Sequence, residues 1–579
     1  MIQSVLRRGR NLALPILAGL LISLGLSAPV LADGKTASGN QGAVSSRSAI
    51  SSEVGVDIMR QGGNAVDAAV AVGFAKAVTY PSAGNIGGGG FMVIHLEDGT
   101  VLTQDHREKA PAAAHRDMFL DEDGEVDRTR ALFSAQASGV PGSVAGMLDA
   151  LERHGKLSRE TVMAPAIRLA EEGFPLNEDL ASGFNRVAES MQDYPASLAL
   201  FTNDGQPWQA GDLWVQTDLA NTLKRISAEG RDGFYAGETA DLLVAEMERL
   251  GGMITHQDLQ EYEVAWREPA HGSYRGYQIW SMPPPSSGGA LIVQMLNMLE
   301  PYDLGAFGPG RAETVHLMVE AQRRAYADRA EHLGDPDFYD VPMEMLLDKD
   351  YASYRFRDFN PQKASRSEDV GAGMWPEESL ETTHYSVVDG NGMAVSVTTT
   401  LNLGYGNRIV VPGAGFLLNN EMDDFSAKPG EPNVYGLLGG EANKIEPGKR
   451  MLSSMSPTIV TRDGRPVLVT GSPGGSTIIN TVFQMILNVL DHDMTVAEAV
   501  AHPRLHHQWQ PNVIRYEAGA ITDSARSKLE EMGHVGLMES EGLGGDSFTI
   551  GDANSIRIFP DGRLEAASDP RNEGGAAAF

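Results

Sequence analysis

Cysteine is absent from all 579 residues. That absence excludes disulfide frameworks, thiolate metal sites and a cysteine nucleophile. Basic runs are scarce as well: 46 lysines and arginines face 77 aspartates and glutamates, a net charge of −31. This balance opposes binding to phosphate backbones and anionic lipid, so no nucleic-acid partner is expected. Beyond the first 32 residues no apolar run is long enough to span a bilayer. No histidine and carboxylate cluster has metal-binding spacing, so neither a metal nor another cofactor is expected.

What is present begins with an export pattern. Arg7, Arg8 and Arg10 precede an apolar run over residues 12–26, and Val30-Leu31-Ala32 offers a small-residue cleavage site. Residues 1–32 therefore read as a signal peptide, and a periplasmic or secreted protein without stable membrane insertion is expected. A retained anchor is the alternative, which Pro15, Pro29 and the cleavage site disfavour. The remaining length suits two domains or one large layered domain.

Helical patterns occupy residues 64–72, rich in alanine and valine, and residues 144–154 and 314–329. Another starts at Ser158 as its cap, carries Met163, Ile167 and Ala170, and stops at Gly173. Pro283-Pro284-Pro285-Ser286-Ser287-Gly288-Gly289 reads as a rigid turn before an apolar segment. Residues 361–381 are polar, contain Gly371, Gly373 and Pro376, and read as an exposed stretch tolerant of cutting. At Thr382 the chain changes character and becomes a series of hairpins. Strands and helices in both halves predict sheets covered by helices.

The hairpins bring polar residues to their open ends. Residues 383–388 pair with 393–400 across Asp389-Gly390-Asn391-Gly392, which sets Thr382 beside Thr398, Thr399 or Thr400; a slip of one residue exchanges faces, so the three stay open. If the 381/382 bond breaks, Thr382 gains a free amine with an ordinary pKa of about 7.7 to 8.0, able to take the proton of its own hydroxyl. A second hairpin, 409–411 with 416–419, leaves Asn402 upstream and Asn420-Glu421-Met422-Asp423-Asp424 downstream, where carboxylates suit a substrate ammonium. A third, 458–461 with 466–470, sets Ser453-Ser454 near Gly474-Gly475, which open a helix over residues 476–490 and can present backbone donors to an oxyanion. A fourth, 91–96 with 100–105, places Arg107 where it could clamp a carboxylate.

The chain resembles the γ-glutamyltransferases, or γ-glutamyltranspeptidases, of the N-terminal nucleophile hydrolase superfamily. The likeness runs through Gly63-Asn64-Ala65-Val66-Asp67, Gly87-Gly88-Gly89-Gly90-Phe91, the Pro283 to Gly289 turn, Thr382-Thr383-His384, Leu418-Asn419-Asn420-Glu421-Met422-Asp423-Asp424, Ser453-Ser454-Met455-Ser456-Pro457 and Gly471-Ser472-Pro473-Gly474-Gly475. It implies an α/β fold, the four-layer αββα sandwich. It also implies a precursor cut between Glu381 and Thr382, giving a large subunit (33–381) and a small one (382–579).

In such proteins the threonine, here Thr382, attacks the γ-amide of a glutamyl donor such as glutathione and passes the acyl group to water or to an amino-acid or peptide acceptor. By motif match Thr400 assists the nucleophile, and Gly474 and Gly475 donate to the oxyanion. Arg107, Ser453 and Ser454 then hold the donor's α-carboxylate, while Asn402, Glu421 and Asp424 hold its α-ammonium. Tyr435 gates a lid. Arg408 departs from the small residues expected on the acceptor side. The alternatives are a related acylase (cephalosporin or glutaryl acylase, or a γ-polyglutamate hydrolase) and a non-catalytic periplasmic binder. His384, alone in a strand, reads as packed or hydrogen-bonded.

Overall fold

Asp389-Gly390-Asn391-Gly392 turns the chain tightly, and the β-branched run on each side forms the antiparallel pair Thr383–Asp389 and Ala394–Thr400. Its register sets Thr383 opposite Thr399 and His384 opposite Thr398. Thr382 therefore meets Thr400, which resolves the three-way choice. The computed structural model describes residues 35–370, 382–428, 430–431, 433–434, 439–540 and 549–579. The signal peptide, Glu381 and Tyr435 lie outside the described residues.

This pair belongs to a seven-stranded sheet ordered Gly575–Ala578, Gly42–Ser46, Thr383–Asp389, Ala394–Thr400, Gly89–His95, Val101–His106 and Ala265–Arg267. A second sheet of seven runs Thr36–Gly39, Leu564–Ser568, Asn554–Ile558, Arg465–Thr470, Thr458–Arg462, Tyr277–Ser281 and Ala270–Tyr274. The inner faces meet through small and branched side chains, among them Ala43, Val93, Val388, Ile459, Val469 and Ile556. Polar groups share that interface and are satisfied there: Ser386 Oγ donates to the Asn554 carbonyl at 2.9 Å, and Ser396 Oγ to that of Thr470 at 3.0 Å.

Each outer face carries its own helical layer. Over the first sheet lie Ala49–Arg60, Ala65–Thr79, Ser143–His154, Arg159–Glu172 and Thr217–Glu229; over the second lie Gly288–Leu299, Ala312–His332 and Thr477–Leu490. The αββα sandwich expected from the sequence is thus present. Ala65–Thr79 is buried along its whole length, which its small side chains permit, and a capping box between Asn64 and Asp67 starts it. Ser158 caps Arg159–Glu172, and Gly173 ends it.

One hairpin is slighter than its sequence predicts. Residues 409–411 and 416–419 form only a single bridge, Val410 with Leu417. Two ladder hydrogen bonds flank that bridge, Leu418 amide to Ile409 carbonyl at 2.9 Å and Val411 amide to Phe416 carbonyl at 3.0 Å, and Asn407 takes the next, its amide donating to the Leu418 carbonyl at 3.3 Å and its Oδ1 accepting the Ile409 amide at 3.2 Å.

Candidate active site

The open end of the central hairpin carries Thr382, only 3% exposed, and its hydroxyl reaches Thr400 Oγ1 at 3.5 Å. Thr400 Oγ1 also accepts the Asn402 amide at 2.8 Å. Asn402 itself lies in the left-handed region, φ +73°, which asparagine tolerates better than most residues. Asn402 Nδ2 donates to the Asn420 carbonyl at 2.9 Å, and Asn420 Oδ1 accepts the Leu403 amide at 3.1 Å. The threonine pair is thereby tied to the acidic turn Glu421–Asp424.

Arg107 follows the strand Val101–His106 and is fully buried. Its guanidinium donates to Glu421 and, at 2.5 Å, to Asp424 Oδ2; Glu108 stands 3.5 Å away. The two sides expected to grip opposite ends of a zwitterion thus meet each other. Burial pushes the Glu421 and Asp424 carboxyls up, and the Arg107 charge works against that rise. Asn419 fixes the turn, accepting the amides of Gly139 at 2.8 Å and Glu421 at 3.1 Å.

Ser453 and Ser454 are braced from behind by the proline-rich turn. The Ser453 amide donates to the Pro285 carbonyl at 2.8 Å, and the Ser453 carbonyl accepts from Ser287 Oγ at 2.7 Å. Ser286 Oγ donates to the Met455 carbonyl at 2.6 Å. A rigid turn thus fixes the serines from a segment more than 160 positions earlier.

Gly474 and Gly475 precede the helix Thr477–Leu490 with φ of +129° and +52°. A Cβ on Gly474 would fall 2.4 Å from Thr477 Oγ1, so this turn requires glycine. A pocket of about 290 Å³ of unfilled space, part of it open to solvent, is lined by Thr382, Thr400, Asn402, Arg107, Glu421, Asp424, Ser453, Ser454 and Gly475. Gly474 shares the turn but does not line the pocket. A hydroxyl pair, backbone donors at a helix start and a doubly charged recess suit acyl transfer from a small zwitterionic donor.

The sequence reading missed Arg329, which lines the same pocket. Its signal was present: Val315, Val319, Gln322, Tyr326 and Arg329 form one stripe of Ala312–His332, and all are buried. His384 is packed as read, its ring nitrogens 2.9 Å from Thr398 Oγ1 and 3.1 Å from Ser386 Oγ. Burial holds its pKa well below the usual value. The fold does gather His316, Glu320 and His534, whose ligand atoms lie within 4.8 Å of one another. Arg324 at 2.7 Å and Arg323 at 3.5 Å already occupy Glu320, so a cation there meets two positive neighbours.

Asp423, beside the pocket, has its carboxyl pushed up to about 7 by burial, opposed by the Val434 amide that it accepts at 2.9 Å. A raised carboxyl stabilises the fold fully below its unfolded pKa near 4, and that contribution is lost as pH rises through 7. Asp423→Asn keeps an acceptor for Val434 but does not titrate. The stability of the parent relative to this variant is expected to fall by about 2–3 kcal/mol between pH 5 and 8. Paired thermal melts across that range check it, and a flat difference would refute the assignment.

A family profile described as gamma-glutamyltranspeptidase matches residues 51–579. The chain belongs to the γ-glutamyltranspeptidase family. Among its relatives, the glutathione hydrolase proenzyme of Escherichia coli (strain K12) is 50% identical over 535 residues, 92% of this chain and 90% of that protein. The γ-glutamyltranspeptidase of Helicobacter pylori, a solved structure, superposes with a TM-score of 0.55 at 45% identity, covering 56% of this chain and 93% of that one. A cephalosporin acylase from Bacillus halodurans gives a TM-score of 0.83 at 25% identity, covering 96% and 98%. The family assignment and the fold therefore agree with the resemblance read from the motifs. Among the described residues of this family member, no helix is long and apolar enough to cross a membrane.

Proposed function

We propose that this γ-glutamyltranspeptidase is a self-processing γ-glutamyltransferase and glutathione hydrolase. The observation that carries the reading is a buried threonine, 3.5 Å from a second threonine, in a recess lined by a guanidinium and two carboxylates. In the precursor the Thr382 oxygen attacks the Glu381 carbonyl carbon, the peptide C–N bond breaks, and the nitrogen takes the hydroxyl proton. Water then hydrolyses the resulting ester, leaving the Glu381 carboxylate and a free Thr382 amine. The products are a large subunit (33–381) and a small one (382–579).

In turnover the Thr382 amine accepts the hydroxyl proton as oxygen attacks the donor's γ-carbonyl. Thr400 supports the nucleophile, and Gly474 and Gly475 stabilise the oxyanion. Expulsion of the amine leaving group gives a γ-glutamyl ester, which water or an amino-acid or peptide acceptor releases. Arg107, Ser453 and Ser454 take the donor's α-carboxylate; Asn402, Glu421 and Asp424 take its α-ammonium; Tyr435 closes over the site. The leader at residues 1–32 exports the protein to the periplasm or beyond.

The charged recess favours a glutamyl head over the side chain of an acylase substrate. A site built for an ammonium rejects an analogue lacking it, because its carboxylates lose their partner. γ-Glutamyl-p-nitroanilide is therefore expected to exceed glutaryl-p-nitroanilide in kcat/KM by at least about 100-fold. Equal turnover, or preference for the glutaryl donor, would replace this reading with the acylase one.

A further inference from the structure

Six arginines are buried among the described residues: Arg107, Arg323, Arg324, Arg329, Arg450 and Arg504. Five have a carboxylate within 4 Å: Arg107 with Glu421, Arg323 and Arg324 with Glu320, Arg450 with Asp105, and Arg504 with Asp569. Arg329, the exception, is 4% exposed and lines the same recess as Thr382. Its Nε donates to Ser287 Oγ at 3.0 Å, and an Nη lies 3.5 Å from Ser454 Oγ. Hydroxyls orient a guanidinium but do not neutralise it. Burial accordingly lowers its pKa to about 10, opposed by the more distant charge of Asp424.

Arg107, by contrast, is already occupied by Glu421 and Asp424. A donor ammonium entering between those carboxylates competes for them, and the carboxylate it brings needs a cation not already neutralised. Arg329 is the buried arginine of the recess that meets this requirement, and Ser454 bridges it to the serine pair assigned to carboxylate binding. A guanidinium also matches a carboxylate by two parallel hydrogen bonds, a geometry that a hydroxyl pair cannot supply.

We infer that Arg329 is a second cation for the donor's α-carboxylate, acting with Ser454, and so a specificity determinant for donors with a free carboxylate next to the amine. The inference rests on the γ-glutamyl reading above and adds a residue that the motifs do not include.

The test measures Arg329→Gln and Arg329→Lys on two donors: γ-glutamyl-p-nitroanilide, and 4-aminobutanoyl-p-nitroanilide, which is the same acyl group without the carboxylate. Arg329→Gln is expected to lose about 100-fold in kcat/KM on the first and less than about threefold on the second. Arg329→Lys, which keeps the charge, should recover part of the first loss. Calorimetric binding of free glutamate and of 4-aminobutanoate reads the same pairing without turnover. Equal losses on both donors, or failure of both variants to fold and be cut, would assign Arg329 to the framework and overturn the inference. Failure of the parent to turn over γ-glutamyl-p-nitroanilide would instead overturn the functional reading.

Discussion

Thr382→Ala is expected to migrate as one uncut polypeptide on a denaturing gel and to lose at least about 10⁴-fold in kcat on γ-glutamyl-p-nitroanilide. Both effects share one cause. The substitution removes the oxygen that attacks the preceding carbonyl and later the donor, and no cysteine exists to stand in for it. The residue lies at the end of a strand whose neighbours are fixed by the ladder, so loss of its hydroxyl leaves the sheet intact. Circular dichroism should therefore match the parent. Mass spectrometry giving two fragments divided at 381/382, or retained turnover, would remove Thr382 as the nucleophile.

The second large effect is expected at Arg107. Arg107→Met removes the cation that Glu421, Asp424 and Glu108 surround, leaving the buried Glu108 and Glu421 carboxyls and the mostly buried Asp424 carboxyl without it. Breaking a buried ion pair from one side costs about 3–5 kcal/mol, because the remaining charge keeps its desolvation penalty. The expected result is destabilisation of that order, with kcat/KM on γ-glutamyl donors lower by about 10³-fold. Burial already pushes the Glu108 carboxyl up to about 7, and losing Arg107 removes the charge that holds all three down. The unpaired acids then take up protons as pH falls, so the variant's stability deficit should shrink from pH 8 to pH 5. A deficit that grew on acidification would show that Arg107 does not neutralise this cluster.

These predictions use residues of two kinds, those that local sequence exposes and those that only packing delivers. The hairpin that carries Thr382 was legible because Asp389-Gly390-Asn391-Gly392 dictates its own turn, and the helix Ala65–Thr79 was legible over residues 64–72 because its alanines and valines mark a buried helix. The partner of Thr382 was not legible from the hairpin itself, and only the motif match pointed to Thr400. A register shift of one residue exchanges faces, and pairing with Gly42–Ser46 and Gly89–His95 on either side settles it in favour of Thr400. For Arg329 the stripe it shares with Val315, Val319 and Tyr326 was in the sequence, but that this stripe borders the pocket is known only from the packing.

By itself the sequence determined the layered α/β class, the turns that end its strands, the glycines that open the helix Thr477–Leu490, and the order of motifs that marks the family. Periodicity and turn chemistry act over a few residues, so they can be read from the chain alone. Tertiary structure decided that Arg107 meets Glu421 and Asp424, that Pro285 and Ser287 brace Ser453, and that Arg329 enters the recess without a carboxylate partner. Those contacts join segments tens to hundreds of positions apart, and only the close packing of two sheets between two helical layers brings their charges together.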